Sequence, residues 1–173
     1  MNSIHRISLN SHWQIISGLS SKEIVDKKNQ AFIHLPLLLS ELGKDFWGAK
    51  ITSTTTITNS ISRNFGRPSR ILPSTKIWLN FIGWVHLESI TLNSLGIFSS
   101  ETCFDQNPNY QISESNTRIQ IVQHLLPRNQ LICQLKYPMD YSLNKTFSGT
   151  ALLEEDQEKM KIGKVYLEIE QFS

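Results

Sequence analysis

Fifteen acidic side chains, five histidines and two cysteines are the groups in this sequence that could move protons, attack a substrate or ligate a metal. Cleavage of a glycosidic bond, for instance, needs two carboxyl groups about 5–9.5 Å apart across a cleft. The acids here fall mostly elsewhere. One run, Glu154-Glu155-Asp156-Gln157-Glu158-Lys159, reads as a solvated loop or short exposed helix. Glu168 and Glu170 alternate with Leu167 and Ile169, which predicts a solvated strand face for them. His5, His12, His34, His86 and His124 lack the spacing of a zinc site. Asp105, Asn107 and Asn109 alternate as oxygen ligands would, but no flanking Glu or Gly completes a calcium loop. Turn chemistry is the simpler reading, and calcium stays open. The chain has no Gly-x-Ser-x-Gly elbow, phosphate loop or dinucleotide glycine pattern. No catalytic residue, metal or cofactor is therefore assigned, and the chain is expected not to be an enzyme.

Binding needs less machinery than catalysis. Trp13 and Trp78 lie in runs that look like core, and Trp84 follows Gly83 as a partly buried wall. Trp47, in Lys44-Asp45-Phe46-Trp47-Gly48, sits beside glycine in a loop-like stretch and is the candidate stacking platform; a lid over the core is the alternative. Arg67, just before Pro68, is the candidate hydrogen-bond donor. From Arg63 through Arg67 and Arg70 to Lys76 there is no acidic residue. That run reads as a solvated rim, because a phosphate-binding patch would carry interleaved aromatics. A formal net charge of +2 on 173 residues gives no reason to expect a nucleic-acid partner.

The apolar stretches are far short of the ~20 residues a membrane helix needs, so no membrane partner is expected. The N-terminal residues Met1-Asn2-Ser3-Ile4-His5-Arg6 show no apolar signal region, which predicts a cytoplasmic, reducing compartment. Cys103 and Cys133 are then expected to be free thiols, and the sequon Asn144-Lys145-Thr146 carries no weight.

These groups must be held by strands. Period-two alternation recurs at 57–65, 77–81, 90–92, 131–135 and 165–169, while no helix-length apolar period stands out. Within 77–81, Ile77, Leu79 and Phe81 share one face and Trp78 and Asn80 the other, as in a strand covered on both sides. Gly66-Arg67-Pro68, Leu72-Pro73-Ser74, Asn93-Ser94 and Pro127-Arg128-Asn129 punctuate the runs as turns. The segment 35–42 predicts a short helical turn after Pro36, and 101–115 a long loop or irregular strand. Short strands at regular spacing predict an all-β antiparallel sandwich, with 1–173 as a single domain.

Several pieces, in order, carry a resemblance. They are Leu9-Asn10-Ser11-His12-Trp13, Ile33-His34-Leu35-Pro36, Arg63-Asn64-Phe65-Gly66-Arg67-Pro68 and Lys76-Ile77-Trp78-Leu79-Asn80-Phe81-Ile82-Gly83. Ile90-Thr91-Leu92-Asn93-Ser94-Leu95-Gly96, Leu126-Pro127-Arg128-Asn129-Gln130-Leu131 and Ile162-Gly163-Lys164-Val165-Tyr166-Leu167 follow. Together they resemble the sugar-binding jelly-roll domain of glycoside hydrolase family 2, within the galactose-binding-like superfamily. Ser94 stands where that pattern has Gly, a departure expected to change the shape of the turn. The resemblance implies a jelly-roll sandwich and a non-catalytic binding module, because the family's catalytic carboxylates lie in a separate barrel. Carbohydrate and a protein partner are both open as ligands, with an accessory subunit or degenerate fragment of a hydrolase system as the alternative. Any sugar site is expected at one loop end of the sandwich.

Overall fold

The computed structural model describes residues 3–16, 32–38, 56–101, 108–113, 116–138 and 161–172. The alternating runs become strands of two packed antiparallel sheets, the sandwich that their spacing predicts and the jelly roll that the resemblance implies. The first sheet has the order β1-β12-β6-β10-β9, made of Ser3–Ser8 (β1), Lys161–Gln171 (β12), Lys76–Trp84 (β6), Asn116–Gln120 (β10) and Tyr110–Ile112 (β9). A short strand, Leu37–Leu38 (β4), continues the β12 edge beyond β1. The second sheet has the order β3-β2-β5-β11-β7-β8. Its strands are Phe32–Ile33 (β3), Trp13–Ile16 (β2), Thr56–Gly66 (β5), Arg128–Pro138 (β11), Leu87–Leu92 (β7) and Leu95–Ser99 (β8).

Side-chain alternation builds the core. Ile77, Leu79 and Phe81 are fully buried between the sheets, and register sets Ile169, Leu167 and Val165 of β12 beside them. Ile61, Leu131, Cys133 and Leu135 of the second sheet face them. At roughly 25 cal/mol per Å² of apolar surface removed from water, these layers dominate stability. Trp13 is completely buried, with Trp84 tilted against it at a ring separation of 6.1 Å and Phe81 edge-on to Trp84 at 5.0 Å. Trp84 is only 4% exposed, more deeply placed than a partly buried wall.

One side of the sandwich is closed by the chain crossing between sheets twice. After β1, the Leu9 N–H donates to the Val165 carbonyl, and the Val165 N–H donates to the Asn10 side chain at 2.7 Å. The chain then turns at His12, whose φ is 62°, and enters the second sheet at Trp13, whose indole donates back to the Leu9 carbonyl. It returns through a cis Leu35-Pro36 peptide to β4. The short helical turn predicted after Pro36 is thus replaced by extended backbone at Leu37 and Leu38. The reason lies in β12, whose Lys161 and Ile162 need a partner past the end of β1. The rest of that predicted turn lies outside the described residues.

Candidate functional site

The carboxylates come first, because the sequence leaves their environment open. Glu168 does point away from the core, but it is only 6% exposed rather than solvated. Arg6 reaches it from β1 at 2.8 Å, and Arg118 reaches it from β10 at 2.6 Å. Arg118 also binds Glu170 and lies 4.1 Å from the centroid of the Trp78 ring. Trp78 is therefore buried, as expected, but on the outward face of the first sheet, under a guanidinium rather than in the core. Next to this network a cavity of about 410 Å³ is lined by Asn80, Gln111, Asn116, Arg118 and Tyr166 among others. Its one charged side chain is already held by two carboxylates and by Gln111, which leaves little for a ligand.

A second cleft, of about 810 Å³, lies at the end of the second sheet. It crosses the ends of β5 and β11 and is bounded by the β7–β8 turn. Asn64, Gly66, Ser94, Arg128 and Gln130 line it, together with Phe65, Leu126 and the two amides Asn93 and Asn129. Those two amides hold the frame. The Asn93 amide donates to the His124 carbonyl at 3.0 Å and to Asn129 Oδ1 at 2.9 Å, while its Oδ1 accepts the Gln130 N–H. Asn129, 2% exposed, accepts the Leu126 N–H and donates to the carbonyls of Leu126 and Phe65. The tight turn expected at Pro127-Arg128-Asn129 is therefore completed by a side chain, and Arg128 and Asn129 already belong to β11.

Asn93 and Ser94 have φ of 52° and 66°, so the two-residue hairpin keeps the left-handed backbone normally given to glycine. The Gly-to-Ser departure leaves the backbone shape of the turn in place. A left-handed non-glycine residue costs about 1–2 kcal/mol, and the Asn93 bonds to β11 and His124 offset it.

Gly66 forms part of the floor. A Cβ there would meet nothing within 4 Å. Register places Arg128 opposite it, and Arg67 follows it in the chain, with the Arg67 N–H donating to the Pro127 carbonyl at 3.2 Å. Arg67 is exposed beside the cleft. The other candidate, Trp47, lies outside the described residues, as do Cys103, Asp105, Asn107 and the acidic run 154–158. Sequence reading misses Asn64, Ser94, Arg128 and Gln130 as cleft-lining groups. The turn signals around Asn93 and Asn129 are the available hint.

Arg63 points inward from β5, on the same side as Ile61 and beside Leu131. Its Nε and Nη1 are buried without a hydrogen-bond partner, and burial pushes its pKa down. Among the described residues, no group of three or more His, Cys, Asp or Glu side chains could hold a metal ion, and no helix is long and apolar enough to cross a membrane.

No family model and no curated protein sequence matches the chain. Solved structures do. A β-glucuronidase from an uncultured Clostridium species is 13% identical, with a TM-score of 0.58 over 96% of this chain and 29% of its own. The Bifidobacterium dentium β-glucuronidase, solved with coumarin-3-O-glucuronide, is 12% identical, with a TM-score of 0.56 over 96% of this chain and 30% of its own. A glycosyl hydrolase family 2 member from Bacteroides cellulosilyticus is 14% identical, with a TM-score of 0.54 over 95% and 20%. At these identities the likeness establishes the fold: the chain shares its sandwich with a part of such hydrolases. It spans less than a third of the length of each of these three chains.

Proposed function

We propose that this chain is a non-catalytic carbohydrate-binding module whose site is the cleft at the end of the second sheet. The observation that carries the reading is the composition of that cleft. Two amides are locked into the frame, and Asn64, Ser94, Gln130 and Arg128 are left to face outward around a glycine floor. Sugars are recognised by amides, hydroxyls and guanidinium groups presented from a rigid frame beside apolar surface, here Leu126 and Phe65. Arg67 is proposed as a further donor at the rim. Trp47, from the sequence alone, is proposed as the stacking platform. Affinity is expected to be weak, because a shallow polar site gains little beyond a few hydrogen bonds and one stacked ring.

Gly66→Phe tests the reading directly. The new side chain would start from open space at the cleft, since nothing lies within 4 Å of the added Cβ. Glycan binding measured at millimolar concentration should disappear while the thermal midpoint stays within a degree or two of wild type, as expected for a surface change. Undiminished glycan binding by this variant would remove the cleft from the reading. Wild-type protein that binds no glycan on an array would leave a protein partner as the better proposal. The small share of the hydrolase chains that the fold covers favours a second reading, an accessory part of a glycoside hydrolase system. Co-elution with such an enzyme would distinguish it.

A further inference from the structure

The six arginines of the chain fall into two groups. Arg6 and Arg118 are tied to carboxylates on the outward face of the first sheet. Arg63, Arg67, Arg70 and Arg128 have no carboxylate partner among the described residues. All four belong to one end of the molecule. Arg63 lies near the close of β5, Arg67 and Arg70 lie in the connection from β5 to β6, and Arg128 opens β11 opposite Gly66. No acidic residue lies between 63 and 76, and none lines the cleft. The carboxylates of the neighbouring strand end, Glu168 and Glu170, are on the outward face of the other sheet and already engaged.

Guanidinium groups repel one another, and among the described residues no carboxylate gives a reason to collect these four. Arg63 sharpens the point, since two of its nitrogens are buried without any acceptor. A partly desolvated cation without a counter-charge raises the positive potential of the whole end. The two arginines nearest Gly66 are both exposed: Arg128 lines the cleft and sits opposite Gly66 in the ladder, and Arg67 follows Gly66 in the chain at the rim. A guanidinium fork takes two oxygens of an anion. Two forks around one point match a group with three terminal oxygens better than a planar carboxylate, whose two oxygens a single fork satisfies.

We propose that the cleft at the end of the second sheet takes a saccharide bearing a tetrahedral oxyanion, a sulfate or phosphate ester, with Arg67 and Arg128 holding the anion over Gly66. This rests on the carbohydrate reading of the same cleft and adds the ligand's charge to it. A nucleic acid supplies phosphates as well. However, the one aromatic ring among the described residues lining the cleft, Phe65, is half-buried and packed against the core, and the net charge is only +2.

The test titrates the protein with a neutral oligosaccharide, its sulfated and phosphorylated counterparts, inorganic sulfate, inorganic phosphate and a single-stranded oligonucleotide. Binding is followed by amide chemical shifts at low and high salt. An esterified saccharide should bind at least about tenfold tighter than its neutral parent, with the advantage shrinking as salt screens it. Which ester wins separates sulfate from phosphate. Arg67→Gln and Arg128→Gln should each remove most of that advantage, lowering the esterified saccharide's affinity far more than the neutral parent's. Lys164→Gln, which deletes one exposed positive charge on the other sheet, should change nothing.

Equal affinity for neutral and esterified saccharides would overturn the inference and leave the carbohydrate reading standing. An advantage that survived both arginine variants would overturn it in the same way. Arginine-dependent binding of inorganic sulfate or phosphate with no saccharide binding would keep the oxyanion site and discard the carbohydrate reading. An oligonucleotide binding as tightly as the best saccharide would overturn the inference in favour of nucleic acid.

Discussion

Three glycines should answer very differently to the same methyl group. Gly163 lies in β12 between Ile162 and Lys164, which pair with Trp84 and Ile82 of β6. A Cβ at Gly163 would fall 1.7 Å from the Ile82 carbonyl oxygen, 2.7 Å from its carbon and 2.8 Å from the carbonyl carbon of Gly83. All three are backbone atoms, so no rotamer change relieves the clash. The Ile82 oxygen would have to retreat from 1.7 Å to at least 3.0 Å. A shift of more than an ångström takes ladder bonds of about 2.9 Å out of hydrogen-bonding range. Two ladder bonds of a central strand pair are then lost. At about 1–3 kcal/mol for each polar group left unsatisfied, Gly163→Ala should cost about 3–5 kcal/mol.

Gly83, opposite, has φ 74° and room for a Cβ at 3.7 Å from the Gly163 Cα. Gly83→Ala should therefore cost only the left-handed penalty of about 1–2 kcal/mol. Gly66→Ala, with open space and no positive φ, should lie within about 0.5 kcal/mol of wild type or be slightly stabilising. Urea unfolding followed by fluorescence of the buried Trp13, Trp78 and Trp84 reads all three. With a urea slope of about 2 kcal/mol/M, Gly163→Ala should shift the midpoint by about 2 M. The order Gly66, Gly83, Gly163 is the test. A Gly163→Ala midpoint at or above that of Gly83→Ala would refute the idea that β6 and β12 depend on this close approach.

Glu168→Gln weakens two charge-assisted bonds; because Arg6 is largely exposed and stays hydrated, the loss should be about 1–3 kcal/mol rather than that of a fully buried pair, and salt should narrow the gap to wild type in thermal melts. Phe81→Ala, in a fully buried position against Trp84, should cost about 3–5 kcal/mol, and an unchanged denaturant midpoint would show that its facing is wrong. Cys133 is a buried free thiol whose pKa is raised well above 9.0 by desolvation, as that of the Tyr137 phenol is above 10.0. The folded state then holds these protons more tightly than the unfolded one, so stability should be flat below about pH 9 and fall as pH rises beyond it. Cys133 should resist a thiol reagent at pH 8 until denaturant is added, and rapid native labelling would contradict its burial.

The strand framework is legible because alternation is a local signal. Ile77, Leu79 and Phe81 can be assigned to one face without knowing their neighbours, and the structure buries all three. Asn59 and Arg63 break the apolar pattern at 57–65, and they remain the polar exceptions on that inward face. What alternation cannot carry is the environment across strands. It correctly sets Glu168 facing away from the core, yet the cover over Glu168 comes from Arg6, 162 residues away in sequence, and Arg118, 50 residues away. The run after Pro36 reads as helical because four leucines fall close together. The extended backbone of Leu37 and Leu38 answers a need of the β12 edge that nothing within 35–42 announces. The candidate site is legible in outline only. A loop end is expected and the acid-free arginine run is visible, but the pairing that sets Arg128 opposite Gly66 depends on register.

The division of polar groups explains why binding and folding can be separated here. On the first sheet, charges neutralise one another over Trp78 and Tyr166, so removing one weakens the fold. At the far end of the second sheet, the amides of Asn93 and Asn129 complete turns and strand ends and have little capacity left for a ligand. Truncating either amide should loosen the cleft itself. Asn64, Ser94, Gln130 and Arg128 line the same cleft from exposed positions on elements that the buried strands and these amides hold rigid. Substitutions there can change what the cleft accepts at little cost in stability. A sandwich so arranged keeps its fold while the chemistry at one end varies, and the four arginines at that end have no carboxylate partner among the described residues.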